Sequence, residues 1–143
     1  MSVDGNAALR DSALAPRSDR PRVLVVDDLP VMRKSLVELL ERDGMTVVGE
    51  AEGQSAALAA LEDADPDVLL LDLRSRQVNA LAMVRHIRGL ELPVLVIGLA
   101  GANDPTAPAD ARAAGLFALV KGSGPWELLS AVEYAHAMLR SGT

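Results

Sequence analysis

Four side chains able to handle a phosphoryl group or a divalent cation stand where apolar runs end. Arg22-Val-Leu-Val-Val26 leads directly into Asp27-Asp28, Val68-Leu-Leu-Leu71 into Asp72, and Leu116-Phe-Ala-Leu-Val120 into Lys121. Mg²⁺ is a hard cation that takes oxygen ligands and is usually held by one or two carboxylates together with water and phosphate oxygens. Asp27, Asp28 and Asp72 are the right ligand type. A carboxylate can also attack phosphorus and form an aspartyl phosphate. That attack depends mainly on positioning and charge neutralisation, which the cation and Lys121 would supply. Asp72 stands alone and reads as the nucleophile, whereas the Asp27–Asp28 pair reads as metal ligands.

For these groups to meet, the runs that carry them must be neighbouring strands. Apolar runs of this length bounded by turn residues read as buried strands of a parallel sheet. In an open α/β sheet, ligands bind outside the carboxyl ends of the strands. The chain alternates strand and helix signals from Pro21 onward, which predicts a parallel sheet covered on both faces. Strands are expected over Arg22–Asp27, Thr46–Gly49, Val68–Leu71, Val94–Ile97 and Leu116–Val120. The first helix has Pro30 near its first turn and presents Met32, Leu36, Leu39 and Leu40 on one face before Gly44. An Ala-rich helix covers Ser55–Leu61. A third covers Ala80–Arg88, with Leu81, Val84 and Ile87 inward and Arg85, His86 and Arg88 outward. Between Gly101 and Gly115 the helix is expected to be short or late-starting, because Pro108 does not suit a helix interior. Pro125 opens a last helix that runs to about Leu139.

Composition narrows the chemistry. A chain of 143 residues holds one domain with a real core. Half of it is apolar but only 2% is aromatic, so that core must be Leu, Val and Ala. Acidic residues outnumber basic ones by 20 to 14, and the net charge of −6 argues against nucleic-acid or anionic-membrane partners. The absence of cysteine excludes thiolate chemistry and disulfides. No run approaches a transmembrane length. Residues 1–20 lack periodicity and read as a disordered leader, with charges that interrupt any signal-peptide core. A cytoplasmic protein with one domain over residues 21–140 is the simplest expectation.

Taken singly, each acid has a plainer explanation. Asp28 could cap the first helix through Leu29-Pro30, and Lys121 could be a solvated surface lysine. Three acids and a lysine, each following an apolar run in this order, make the joint coincidence improbable.

The pattern resembles the receiver domain of two-component response regulators. It covers Val-Leu-Val-Val-Asp27-Asp28-Leu-Pro-Val-Met-Arg33, Pro66-Asp-Val-Leu-Leu-Leu-Asp72-Leu73, Pro93-Val-Leu-Val-Ile97 and Lys121-Gly-Ser-Gly-Pro-Trp-Glu-Leu-Leu129. The resemblance implies a single doubly wound five-stranded parallel sheet of order 2-1-3-4-5, flavodoxin-like and CheY-like, with strands one and three adjacent. It implies that Asp72 accepts a phosphoryl group from a sensor histidine kinase or phosphotransfer protein. Asp27, Asp28 and Asp72 would hold Mg²⁺ with the backbone carbonyl of Arg74, and Lys121 would pair with the phosphoryl oxygens. Output would pass by contact with an unidentified downstream protein, and a homodimer is a further possible partner. Because the sequence stops just after the last helix, a single-domain, non-enzymatic regulator is expected.

Departures from the family pattern cluster beyond the acids. The Ser or Thr usual at the end of strand four is Gly98, and the Tyr or Phe usual three residues before the lysine is Ala118. Phe117 is adjacent but should project to the opposite strand face. The usual Pro and Gly after the acceptor are Arg76 and Ala80. Arg74 and Arg76 either hold a phosphoryl group or are solvated, and the solvated reading is preferred. Trp126 is read equally as a partner anchor or as a ring folded over neighbouring Leu and Ala. His86 and His136 are placed on helix exteriors, and Tyr134 is read as half-buried.

The second reading is a pseudo-receiver that binds proteins without phosphorylation, favoured by Gly98 and Ala118 and opposed by the intact acids and lysine. A third class, an aspartate-nucleophile phosphatase, needs an acid two residues after the first, where this chain has Arg74. A flavin or nucleotide site would need a phosphate loop after strand one, where Asp27-Asp28 would repel the anion.

Overall fold

A computed structural model describes residues 19–122 and 124–141. Residues 1–18 of the leader expected over 1–20, and Ser123 of the lysine motif, lie outside them. Five strands, β1 (Arg22–Val26), β2 (Thr46–Ala51), β3 (Val68–Asp72), β4 (Leu95–Ala100) and β5 (Ala118–Lys121), form one parallel sheet of order β2-β1-β3-β4-β5. Five helices connect and cover them: α1 (Pro30–Arg42), α2 (Gln54–Asp63), α3 (Ala80–Gly89), α4 (Ala107–Ala114) and α5 (Pro125–Ser141).

The sheet is central because its strands are apolar on both faces. All five residues of β3 are buried, as are Val23 to Val26 of β1. Period-two alternation divides them between two cores. Leu24, Val26, Leu69, Leu71 and Val96 pack with Ala57, Leu61, Met83, Val84 and Ile87 of α2 and α3. Val23, Val25, Val68, Leu70 and Ile97 pack with Leu40 of α1 and Leu128, Val132 and Ala135 of α5. Burying each such Leu or Val contributes about 1.5–3 kcal/mol. These two layers hold the strand ends in register.

Local chemistry sets where the helices begin and end. Pro30 occupies the first turn of α1, where its missing N–H costs no hydrogen bond. Asn79 caps α3, its side-chain oxygen accepting from the Ala82 amide at 2.9 Å. Pro108 is accommodated in the first turn of α4, so the short, late helix expected there is found. Asp104 prepares it by accepting from the amides of Thr106 and Ala107 and the Thr106 hydroxyl. Gly115 ends it at φ +79°, in the left-handed region.

Several expected boundaries and orientations need correction. β4 extends to Ala100 and β5 starts only at Ala118. Leu81, expected inward, is exposed, and Met83 joins Val84 and Ile87 on the buried stripe of α3 in its place. His136, expected outward, is buried on α5, while Tyr134 is exposed rather than half-buried. His86 is intermediate, with a buried Nε2. The ring of Trp126 is not folded over its neighbours: the residue is 76% exposed.

Candidate functional site

Strand pairing delivers the acids. β1 and β3 are direct neighbours, with Val26 opposite Leu71, so Asp27 and Asp72 follow at the same carboxyl edge. Alternation turns both toward the α1/α5 side, since they continue the Val23–Val25 and Val68–Leu70 faces. Both are almost completely buried, at 1% and 2% exposure. Their carboxyls are close enough for the charge of Asp72 to act on Asp27.

Two like charges in this setting are electrostatically uncomfortable. Burial raises the Asp27 carboxyl above its ordinary value of 3.8, and the neighbouring Asp72 and Asp28 push it the same way. The opposing effect is the Leu29 amide, which donates to Asp27 Oδ1 at 3.0 Å. The turn is held from outside by Arg33, whose Nη1 donates to the Asp27 carbonyl at 2.7 Å while its Nε donates to Glu50 at 3.2 Å. Sequence reading gave Arg33 no part in this; its place in the motif was the only signal.

Asp28 sits differently. In the bend after β1 it lines a separate polar pocket with Glu52, Gln54, Ser55 and Gln77. Its charge reaches Asp27 but it does not cap α1, whose N-cap is Leu29 without a side-chain bond. Asp27 serves the Leu29 amide instead.

Arg74 is the cation on Asp72. Its Nε donates to Asp72 Oδ1 at 3.1 Å, its Nη2 lies 3.4 Å from Oδ2, and its backbone amide donates to Oδ1 at 2.9 Å. That contact holds the guanidinium above its already high ordinary value. Arg74 is exposed, as Arg76 is, but it is also paired with Asp72, which the solvated reading did not include. Lys121 lies opposite Ala100, is exposed, and acts on Asp104 in the loop after β4.

Next to β3, on β4, leucine side chains crowd the sheet. Gly98 is buried opposite Leu71. A Cβ at Gly98 would lie 2.6 Å from Leu116 Cδ1 and 3.0 Å from Leu73 Cδ1. The space a Ser or Thr side chain would use is filled by leucine. Phe117 precedes β5 in a bend, so strand alternation does not govern it. It packs against the same cluster as Ala118, and its ring centroid lies 5.6 Å from that of Tyr134. A cavity of about 440 Å³ opens between α1 and α5, lined by Met32, Leu36, Leu39, Leu99 and Leu128 and reached by Asp27 and Arg74.

Residues 23–133 match the model of the response regulator receiver domain. The chain belongs to this family. Receiver domains typically bind Mg²⁺ at the site of phosphorylation. This receiver domain is 35% identical over 121 residues to the nitrate/nitrite response regulator protein NarP of Escherichia coli, covering 82% of this chain and 55% of NarP. Its fold superposes on the signal receiver domain of NarL from Mycobacterium tuberculosis with a TM-score of 0.71, at 28% identity, covering 88% of this chain and all of that one. The response regulator domain of Thermotoga maritima CheB gives a TM-score of 0.71 at 25% identity, over 82% of this chain and 97% of that one. The receiver spans about half the length of the curated relatives it matches. Among the described residues no helix is long and apolar enough to cross a membrane.

The residues present fit a hard divalent cation. Among the described residues no three Asp, Glu, His or Cys side chains converge as a metal cluster. The buried, mutually repelling Asp27 and Asp72 form a two-carboxylate set, which is what Mg²⁺ usually takes from a protein beside phosphate oxygens and water.

Proposed function

We propose that this receiver accepts a phosphoryl group on Asp72 from a sensor histidine kinase or a phosphotransfer protein and signals through contact with another protein. Asp27 and Asp72 would hold Mg²⁺ with the backbone carbonyl of Arg74, while Asp28, the third expected ligand, lines the neighbouring pocket and Lys121 stands at the end of β5, two strands from β3. When bound, Mg²⁺ supplies positive charge to the transferring phosphoryl oxygens. The chain's own part is to fix the nucleophile. The buried β3 strand and the Arg74 amide hold the Asp72 carboxylate in one orientation. One observation carries this reading: a nearly fully buried carboxylate at the carboxyl edge of β3, set against a second buried carboxylate in a chain of the receiver family. The proposed output is protein contact in the cytoplasm by a domain without enzymatic activity of its own, and homodimerisation is one form that contact can take.

Intact mass after incubation with Mg²⁺ and a small acyl phosphate tests it, with Asp72→Ala as control. A phosphoryl increment that needs Mg²⁺ and is lost in the variant is expected. A specific observation favours the pseudo-receiver as second reading: leucine fills the space beside Gly98 where the family's hydroxyl would stand. Absence of any increment, together with no Mg²⁺ binding, would select that reading.

A further inference from the structure

Resting on that proposed function, we infer that Arg33 is a positioning residue for the cation, holding the Asp27 carboxylate in place through the Asp27 backbone. Mg²⁺ accepts little departure from octahedral geometry, with its oxygens at about 2.0–2.1 Å. A carboxylate that holds it must keep its place while like charges press on it. Asp27 meets that pressure from both Asp72 and Asp28. It also stands one residue beyond the end of β1, where the pairing of that strand with β3 has stopped.

Hydrogen bonds on its amide, carboxyl and carbonyl hold Asp27 there. The amide donates to the Ala51 carbonyl of β2 at 3.0 Å, and Oδ1 accepts from the Leu29 amide at 3.0 Å. The carbonyl accepts from Arg33 Nη1 at 2.7 Å, a short charge-assisted bond. Arg33 is fixed in turn. Its own amide donates to the Leu29 carbonyl at 2.9 Å in the first turn of α1, and its Nε meets Glu50 Oε1 on β2 at 3.2 Å. Glu50 immediately precedes Ala51, so the guanidinium joins the end of β1, the start of α1 and the end of β2 in one ring of contacts. The Arg33 side chain is only 18% exposed, unlike a free surface arginine. Pairing with a partly exposed glutamate adds little stability by itself, so what the brace supplies is geometry. Charge alone would work against this arginine, because a cation beside a cation site repels the ion.

The test measures Mg²⁺ affinity by titration calorimetry on the unaltered protein and on Arg33→Gln, Arg33→Lys and Glu50→Gln. A second readout is the Mg²⁺ concentration that half-saturates phosphorylation by a small acyl phosphate. In that reaction an Asp72 oxygen bonds to phosphorus while the donor's phosphorus–oxygen bond breaks and a carboxylate leaves. Arg33→Gln is expected to weaken Mg²⁺ about tenfold, the loss typical of a group that orients a metal ligand, and to raise the half-saturating concentration equally. The rate at saturating Mg²⁺ should stay unchanged. Arg33→Lys keeps the charge but loses the two-armed contact, and should fall between. Glu50→Gln acts only through Arg33 and should give the smallest loss. Leu61→Ala, which opens the core near the far end of α2, controls for lost stability and should leave Mg²⁺ affinity intact. If Arg33→Gln does not fold, the lysine and Glu50 variants carry the comparison, and unchanged affinity in both overturns the inference. Tighter Mg²⁺ binding by Arg33→Gln, as removal of a charge alone would give, also overturns it. So does a loss no larger than that of Leu61→Ala, or a lower saturated rate at unchanged affinity. If the unaltered protein binds Mg²⁺ but forms no adduct, the proposed function fails and the calorimetry still decides on Arg33. Neither Mg²⁺ binding nor adduct would overturn both.

Discussion

The two halves of the sheet edge have diverged in character. On β1 and β3 the edge is ionic: Asp27 and Asp72 are buried together, and Arg74, Arg33 and backbone amides grip them. On β4 and β5 the edge is apolar: Gly98 lies under Leu73 and Leu116, Ala118 replaces an aromatic ring, and Lys121 turns out to solvent. In the family pattern these halves work together, the hydroxyl and aromatic ring responding to what happens at the acceptor. Here two buried carboxylates sit beside a region that lacks both of those side chains. Leucine methyls packed over a glycine cannot exchange hydrogen bonds. What touches Asp72 is instead the backbone amide and guanidinium of Arg74.

Substitutions can sharpen this contrast, beginning where the effect is largest. Gly98→Thr should destabilise the fold by about 1–3 kcal/mol through overpacking. Adding Leu116→Ala should recover part of that loss, so urea denaturation of the double variant would reveal a favourable coupling between the two sites. If Gly98→Thr is neutral, the two halves are less distinct than their packing indicates.

Within the ionic half, Asn79→Ala should cost about 1 kcal/mol by removing the cap of the helix that follows the acceptor loop. A thermal melt would detect it as a shift of several degrees for a domain of this size. Asp27→Asn should act in the opposite direction. Because burial and Asp72 raise the folded-state value of Asp27 above 3.8, its ionisation is less favourable in the folded chain. Its unfavourable contribution is absent below 3.8, grows as pH rises through the raised value, and is fully present at neutral pH. The variant should thus be more stable at neutral pH by up to about 1 kcal/mol, the size of a typical single substitution, with no gain near pH 3. Chemical denaturation at the two pH values measures this, and a gain that persists in acid would remove charge as its cause. Smallest of all, Lys121→Ala should stay within about 0.5 kcal/mol, as expected for an exposed side chain outside a network. A larger loss in urea melts would mean that the apolar half depends on its lysine after all.

Much of the frame was legible in the chain. Runs such as Val23–Val26 and Val68–Leu71 are too apolar and too short to be anything but buried strands, and Pro30, Gly44 and Pro125 punctuate the helices between them. The same runs announced that Asp27 and Asp72 would share an edge, since acids that end neighbouring parallel strands must do so. Less was legible on the helices. The inward face of α3 and the burial of His136 depend on how each helix is rolled against the sheet. That angle is set by the sum of contacts, and a periodicity over ten residues fixes it only loosely.

What the sequence determined by itself was the fold class, the strand order through family resemblance, and the identity of the acids at the rim. Those follow from patterns that repeat along the chain and from motifs whose residues are close in number. Tertiary structure alone decided which cation meets Asp72. It also decided that the position of the missing hydroxyl is plugged rather than empty. Arg74 folds back two residues onto the acceptor, while Leu73 and Leu116 converge on Gly98 from segments 43 residues apart in number. Side-chain reach and volume in three dimensions settle such contacts, and neither is written in the order of residues.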